Sequence, residues 1–177
     1  MTRTSYLRAL IVAFMAVALS SVRATSQSPA RVGMAVGVTA PVSAYGSDKN
    51  VGYHVELLVD VRVPATPLGF RIDGAFHDMK YTGNSTRDQI FMATGDAVLR
   101  VPTGTTLTPY LLGGVGIYNS EHNLFLATHP ATDFGVNVGG GVRIELSEVT
   151  TFVEARYHRT SGNAAIRMLP VSLGILF

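Results

Sequence analysis

Residues 52–63 alternate strictly between apolar and polar side chains. Tyr53 and Val55 fall on one face of an extended chain, and Glu56 falls on the other. A strand places successive side chains on opposite faces, whereas a helix would scatter these polar groups around its circumference. The pattern therefore predicts a β-strand with one apolar and one polar face, and residues 134–146 repeat it.

Weaker copies of this alternation fill the rest of the chain after residue 30. We predict eight strands, over residues 31–41, 51–63, 68–79, 88–101, 107–119, 133–146, 150–159 and 165–177. Strands of this length suit a tilted crossing of a bilayer, which takes about 9–11 residues.

The connections between the predicted strands alternate in length. The short ones contain proline or glycine or span only a few residues, and they cover residues 64–67, 102–105 and 147–149. The longer and more polar ones cover residues 43–50, 80–87, 120–132 and 160–164. Short turns at one end and long loops at the other are typical of bacterial outer-membrane barrels. The sequence thus predicts an all-β fold, an eight-stranded antiparallel up-and-down transmembrane β-barrel.

The same alternation also fits a soluble periplasmic barrel whose apolar face points inward and binds an apolar ligand. Composition favours the opposite orientation. Charged residues make up 15% of the chain, whereas an average soluble domain has about 25%. Gly33, Gly114 and Gly139 share the polar face, where glycine would weaken an exterior but leaves room in a narrow lumen. We therefore place the polar face inside and the apolar face against lipid.

A polar lumen collects charges of both signs. The interior of an eight-stranded barrel is just wide enough for side chains to fill, and an unpaired buried charge costs several kcal/mol. We expect these charges to pair in a salt-bridge network that plugs the barrel, a narrow ion path being the alternative. The members are Glu56, Asp60, Arg62, Arg71, Asp73, Asp96, Arg100, Arg143, Glu145, Glu154 and Arg156.

The start of the chain has a different character. Two arginines precede an apolar run over residues 9–19, and Ala24 is the best cleavage site that follows. The run is too short to cross about 30 Å of hydrocarbon as a helix. We predict a signal peptide over residues 1–24 and a barrel domain over residues 25–177. Without the leader, 11 basic residues face 12 acidic ones, so we expect no nucleic-acid partner.

The best candidate for catalysis is residues 157–163 together with Glu154. This segment resembles the His-x-Ser-Asn signature of outer-membrane lipid A deacylases, in which His and Ser lie two residues apart. Here His158 and Ser161 lie three apart, on opposite faces of an extended strand. We therefore assign no catalytic residue. A lipid A or phospholipid acyl hydrolase stays the alternative function, and it requires His158, Ser161 and Glu154 to converge.

Histidines are the candidate metal ligands. On the predicted topology all five lie at the extracellular rim, and they are His54, His77, His122, His129 and His158. A metal needs three or four converging ligands, and no two histidines share one face of a strand two residues apart. We predict no metal and no cofactor. The absence of cysteine excludes disulfide scaffolds, cysteine zinc sites and thiol catalysis.

The end of the chain resembles the C-terminal strand of outer-membrane proteins. Leu173, Ile175 and Phe177 alternate outward, and the last residue is aromatic. Residues 109–116 resemble the fifth strand of small barrels of the OmpA, OmpX and opacity type, and residues 139–143 followed by 152–157 resemble other strands of that group. On these segments the chain is identified as a member of this small outer-membrane β-barrel family.

The resemblance implies a place in the cell outer membrane among its lipid and lipopolysaccharide, after export through the general secretory route. It also implies insertion by the outer-membrane assembly machinery, which reads the strand ending in Phe177. The family's roles are envelope integrity, adhesion and host interaction. We expect a structural or interaction protein and not an enzyme. Loops on a rigid scaffold carry recognition, so residues 120–132 are the candidate surface for an extracellular ligand.

Overall fold

The computed structural model describes residues 29–83, 86–124, 127–146, 149–161 and 165–177. The predicted signal peptide lies outside these ranges. Eight antiparallel strands follow one another around a closed barrel, as predicted. They are β1 (Ala30–Pro41), β2 (Gly52–Arg62), β3 (Leu68–Lys80), β4 (Arg87–Arg100), β5 (Leu107–Leu124), β6 (Ala127–Glu145), β7 (Thr150–Thr160) and β8 (Arg167–Leu176).

The first and last strands close the barrel. β1 pairs with β2 along one side and with β8 along the other, from Gly33 opposite Leu176 to Pro41 opposite Met168. The sheet therefore presents no free edge along this seam. Within the described ranges, no helix is long and apolar enough to cross a membrane.

The predicted faces are oriented as the composition indicated. On β2, Tyr53 and Val55 point outward and are about half exposed, whereas His54 and Glu56 are buried in the lumen. Apolar side chains on the other strands follow the same rule, and the exposed ones include Val36, Phe70, Ile72, Leu111, Val115, Phe134, Val138 and Leu173. Such a band is costly in water, at roughly 25 cal/mol per Å², and fits lipid. The alternative of a soluble barrel with an apolar interior is wrong.

Tight connections mark one end of the barrel. Residues 63–67 join β2 to β3, and residues 101–106 join β4 to β5. Ala65 and Gly104 adopt left-handed backbone there, with φ of 58° and 72°, which lets the chain reverse within a few residues. We call this the turn end. The opposite loop end has longer connections, among them residues 42–51, which include a short 3₁₀ helix (Ser43–Gly46).

The prediction of a loop over residues 120–132 is wrong. β5 and β6 continue through it as a hairpin, paired as far as Leu124 opposite Ala127. β7 joins β6 only from Gly135 onward, so the upper part of β6 pairs with β5 alone. Pro130 lies in that part, where an edge strand tolerates the missing N–H. Residues 123–124 of β5 and 127–134 of β6 therefore form a two-stranded ribbon beyond the barrel wall, which we call the β5–β6 ribbon.

Candidate functional site

The lumen contains the eleven charged residues singled out from the sequence, which come from inward positions of five strands, β2, β3, β4, β6 and β7. Near the turn end, Asp60 on β2 accepts from two arginines. Arg100 Nη2 donates to Asp60 Oδ1 and Arg143 Nη2 donates to Asp60 Oδ2, each at 2.5 Å. Arg62 and Glu145 form a separate pair at 3.2 Å that is partly exposed at the rim. The turn end is thus closed by ionic contacts that cross the lumen.

Deeper in the lumen, Arg156 on β7 gathers carboxylates from four strands. Its Nη1 donates to Asp73 Oδ2 at 2.9 Å and to Asp96 Oδ2 at 3.2 Å. Its Nη2 donates to Glu154 Oε1 at 2.6 Å and lies 3.6 Å from Glu56 Oε1. All five side chains are at most 5% exposed. These contacts engage the Nη1 and Nη2 donors of Arg156 inside the barrel.

Arg71 links this centre to Asp60. Its Nη1 donates to Glu154 Oε2 at 2.6 Å, and its Nε lies 3.6 Å from Asp60 Oδ2. The rings of Tyr110 and Phe152 flank the guanidinium, with centroids 5.5 and 5.4 Å away. Tyr110 also donates its hydroxyl to Glu154 Oε2 at 2.6 Å. Ion pairs therefore connect nine of the eleven charged residues singled out from the sequence, the Arg62–Glu145 pair standing apart. We call these nine the arginine core.

Histidines occupy the next layer toward the loop end. Thr39 Oγ1 lies 3.0 Å from Nδ1 of His54 and 2.8 Å from Nδ1 of His77. His54 Nε2 lies 2.9 Å from Ser172 Oγ. The placement of these histidines at a wet rim is wrong, because both rings are at most 1% exposed. They lie on the inward faces of their strands, and apolar side chains fill the lumen between them and the loop end.

The residues of the proposed hydrolase triad do not come together. His158 is fully buried, and its Nδ1 lies 2.8 Å from the Tyr118 hydroxyl. Ser161 is exposed and donates to the Phe134 carbonyl. Glu154 is engaged by arginines in the lumen. The three-residue spacing puts the histidine and the serine in different environments.

The histidines were also the candidate metal ligands. His122 and His129 are register partners on β5 and β6. No group of three or more His, Asp or Glu side chains suited to a metal occurs in the part of the chain that the structure describes.

An apolar layer fills the lumen beyond the histidines, a feature that we did not predict. Its members come from inward positions near the loop ends of the strands, and all are at most 6% exposed. They are Ala75, Met79, Ile90, Met92, Tyr118, Ile166 and Met168. Methionine fills irregular gaps well. The signal was present in the sequence, because these apolar residues interrupt the polar face. We call this the methionine layer.

The loop over residues 42–51 covers the methionine layer. Tyr45 packs against it and donates its hydroxyl to Asp88 Oδ2 at 2.5 Å. The Lys49 ammonium lies 4.1 Å from the ring centroid of Tyr45 and 4.6 Å from that of Tyr81. Burial, and then the Asp88 carboxylate, raise the pKa of Tyr45, and the same two causes raise the pKa of Tyr81 to about 12. Both hydroxyls are therefore neutral donors at ordinary pH.

Basic side chains face outward near the loop end. Arg159 on β7 is the register partner of Arg167 on β8. Their inward neighbours His158 and Met168 are buried in the lumen, so strand alternation directs the two arginines to the outer surface. Directly opposed like charges destabilise a ladder unless an anion compensates them.

Comparison with solved structures gives the same architecture. The chain is similar to Neisserial surface protein A, with a TM-score of 0.70 and 20% identity, covering 84% of this chain and 96% of that one. It is similar to Ail, the attachment invasion locus protein of Yersinia pestis, with a TM-score of 0.53 and 12% identity, covering 84% and 97%. It is also similar to the outer membrane enzyme PagL, with a TM-score of 0.51 and 16% identity, covering 83% and 98%. At these identities the likeness concerns the fold alone.

A family model described as the outer membrane protein beta-barrel domain matches residues 9–168. That range includes the first seven strands in full and the start of β8. No curated protein sequence matches the chain significantly.

Proposed function

Because the chain belongs to the family of outer membrane protein beta-barrel domains, we propose that it is a structural or interaction protein with a plugged lumen and a contact surface on its outer end. Outer-membrane barrels have short periplasmic turns and longer extracellular loops. The turn end then faces the periplasm, and the loop end, with the β5–β6 ribbon, faces the exterior. The single observation that carries the proposal is the packing of buried side chains across the whole lumen.

Three successive layers support the plug. The arginine core spans the turn half, the histidines follow, and the methionine layer lies under the loop over residues 42–51. An ion would have to displace buried pairs, and removing one partner of such a pair costs about 3–5 kcal/mol. It would then meet the methionine layer, whose side chains are mainly apolar.

Planar bilayer recordings test the plug. The mature chain, refolded and inserted, should add no sustained conductance steps, whereas a general porin under the same conditions should. Insertion is checked on gels, where a folded barrel runs as a compact band without boiling and shifts on heating. Long-lived steps from heat-shifting protein would contradict the plug and favour the narrow ion path.

The β5–β6 ribbon supports a contact role. Residues 123–124 of β5 extend past the last pairing with β4, and residues 127–134 of β6 precede the first pairing with β7. Among the described residues, each of these two segments pairs with one neighbour, the other segment of the ribbon. An exposed ribbon edge offers backbone groups to a partner strand, a common mode of peptide recognition. We therefore retain residues 120–132 as the surface for an extracellular ligand, in the form of a hairpin.

A shortened ribbon tests this role. In the variant, residues 123–128 are replaced by Asn-Gly, a pair suited to a tight hairpin turn. Bacteria that display the variant should adhere less to epithelial cells than bacteria that display the native chain at an equal amount of heat-shifting protein. Thr103→Asn, which gives the same Asn-Gly pair with the native Gly104 in a periplasmic turn, is the control. Equal adhesion by the ribbon variant and the native chain would overturn the adhesive role.

The outer surface supports contact with lipopolysaccharide. Arg159 and Arg167 form an outward pair near the loop end, and we propose that they lie level with the phosphates of lipid A. Guanidinium groups bind phosphate in a bidentate manner. Replacing both arginines by glutamine should weaken lipopolysaccharide binding in nanodiscs about tenfold or more, and should leave the heat shift intact. Unchanged binding would remove these residues from the lipid contact.

Export and assembly form the last part of the proposal. Leu173 and Phe177 face outward, at 60% and 46% exposure, on the strand that closes the barrel. We assign Leu173, Ile175 and Phe177 to recognition by the assembly machinery, after signal cleavage near Ala24 in the secretory route. Phe177→Ala should lower the amount of barrel in the outer membrane, whereas Phe134→Ala, an outward aromatic on β6, should not. The intact mass of the native protein locates the cleavage site.

A further inference from the structure

Three of the four methionines that follow the predicted leader share one layer of the lumen. Met79, Met92 and Met168 are at most 2% exposed and belong to the methionine layer, whereas Met34 on β1 is 47% exposed. The three buried methionines come from β3, β4 and β8. The closed sheet thus brings thioether groups from distant parts of the chain into one buried cluster.

Two histidines border this layer, and each has a ring nitrogen without a partner. His77 Nδ1 lies 2.8 Å from Thr39 Oγ1, and His158 Nδ1 lies 2.8 Å from the Tyr118 hydroxyl. The Nε2 atoms of both histidines are buried and have no hydrogen-bond partner among the described residues. Buried polar atoms in proteins almost always have a partner, so each nitrogen is available to a ligand that the chain does not supply.

The contacts at Nδ1 suit rings that coordinate through Nε2. A metal-binding histidine commonly donates its other ring N–H to an oxygen, which fixes the ring and leaves a bare lone pair on the coordinating nitrogen. The hydroxyl oxygens beside the Nδ1 atoms of His77 and His158 are such acceptors. His54 differs, because both of its ring nitrogens have partners, Thr39 and Ser172.

Sheet geometry brings the two histidines next to the thioethers. His158 and Met168 are register partners whose side chains are both buried in the lumen, and the Cβ atoms of such partners lie about 4.5–5.5 Å apart. Met79 follows His77 by two residues on the inward face of β3. Tyr118, the partner of His158, is itself a member of the methionine layer. The rings of His77 and His158 are near enough to interact electrostatically.

Charges near the histidines are already paired. Arg156 interacts electrostatically with both rings, and its guanidinium donates to Asp73 and Glu154. The hydrogen bonds of His77 and His158 go to hydroxyl groups. Placing a divalent ion among neutral ligands in a buried site leaves two uncompensated charges, which is costly. An ion of single charge suits these surroundings better.

We propose that one Cu(I) ion binds between the Nε2 atoms of His77 and His158 and the thioethers of the methionine layer, with Met168 as one ligand. Soft thioether sulfur selects Cu(I), and imidazole also suits copper. Histidine, aspartate and glutamate alone form no group of three suited to a metal in the described ranges, so the thioethers are needed to complete the set.

The proposal goes beyond the plug and the outer contact surface, because neither of them requires ligand atoms in the lumen. The methionine layer lies next to the loop over residues 42–51, where Tyr45 packs against it. The ion would therefore enter from the loop end. The conductance recordings that test the plug use no copper, so the two proposals can fail separately.

Competition with a chromogenic Cu(I) chelator tests the site. The heat-shifting barrel in nonionic micelles, under reducing and oxygen-free conditions, should bind one equivalent of Cu(I). Met168→Leu nearly conserves side-chain volume but removes the sulfur, and it should weaken the fitted affinity about tenfold or more. His158→Gln should weaken it as well. Met34→Leu is the matched control on the outer face and should leave the affinity unchanged. Equal affinities of Met168→Leu and Met34→Leu would overturn the proposal.

The histidines of the β5–β6 hairpin provide a second control. His122 and His129 are register partners there and offer an alternative copper site outside the lumen. Replacing both by glutamine should leave one equivalent bound at the native affinity. Loss of binding in this variant, with Met168→Leu unaffected, would overturn the lumen site.

Methionine methyl resonances locate the bound ion. In protein labelled with ¹³C at these methyl groups, Cu(I) should shift the signal of Met168 and that of Met79 or Met92 in a saturable way. The signal of Met34 should not move. Each substituted chain is compared at an equal amount of heat-shifting protein, so that a folding defect is not read as lost binding. Absence of saturable shifts in the three lumenal methionines would overturn the proposal.

Discussion

Arg143 on β6 and Asp60 on β2 meet across the lumen, with Arg143 Nη2 donating to Asp60 Oδ2 at 2.5 Å. The two strands are not neighbours in the barrel, so the pair ties opposite walls together. Arg100 occupies the other carboxylate oxygen. Asp60 is therefore the acceptor on which the turn end of the arginine core depends.

Removing this acceptor should destabilise the barrel strongly. Asp60→Asn leaves two buried arginines without their carboxylate, and breaking a buried pair in this way costs about 3–5 kcal/mol. Urea unfolding in lipid vesicles measures the free energy of unfolding. Glu145→Gln is the control, because its pair with Arg62 is partly exposed and such pairs contribute about 0–1 kcal/mol. Equal losses in the two variants would contradict the role of Asp60.

The methionine layer should contribute to stability as a packed core does. Met79 is fully buried, and Met79→Ala should lower the free energy of unfolding by about 2–5 kcal/mol. Val115→Ala is the matched truncation on the outer face, where Val115 is 66% exposed, and its effect should be clearly smaller. A Met79→Ala loss no larger than that of Val115→Ala would show that the layer is loosely packed.

Closure of the barrel should be sensitive to one glycine. A Cβ at Gly37 would collide with the Val171 carbonyl oxygen on β8 and would lie 2.7 Å from the His54 ring. Gly37→Ala should therefore reduce the fraction of chain that folds into the heat-shifting form. Gly95→Ala is the control, because no atom lies within 4 Å of a Cβ built there. Full folding of Gly37→Ala would mean that the β1–β8 seam yields easily.

Tyr45, in the loop over residues 42–51, and Tyr81 should lose their hydroxyl protons at a higher pH than a free tyrosine. A free tyrosine ionises near pH 10, but burial and Asp88 raise the pKa of Tyr81 to about 12. Between these two values the unfolded chain loses this proton and the barrel keeps it. Stability therefore falls as pH rises from about 10 to 12. Ultraviolet titration of native chain and Tyr81→Phe isolates the Tyr81 transition, and Asp88→Asn should move it to lower pH. A Tyr81 transition near pH 10 in the native chain would contradict this.

The alternation of side chains was sufficient to predict the barrel, because a period of two is a local property of each strand. The predicted second strand, residues 51–63, is found as Gly52–Arg62. The β5–β6 ribbon was not predictable in this way. Residues 120–132 do not alternate strictly between apolar and polar side chains, so they lack the signal on which the prediction of the other strands depends.

The contents of the lumen were predictable only in part. Alternation already directs His54, His77 and His158 inward, but it does not say how far each lies from the rim. That depth depends on the stagger between strands, which is set by the register of the closed sheet. The same stagger decides that Arg143 reaches Asp60, 83 residues away in the chain. It also decides that Met79 and Met168, from distant strands, share one layer.

The seam between β1 and β8 has a consequence for the timing of folding. Gly33 pairs with Leu176, so the ladder joins the beginning of the barrel to its last residues. No portion of the chain made earlier on the ribosome can form this ladder, and every shorter piece leaves two open edges. Contacts between such distant residues are slow to form, and open strand edges aggregate. Closure of the barrel is therefore a late step of folding, and it removes both open edges at once.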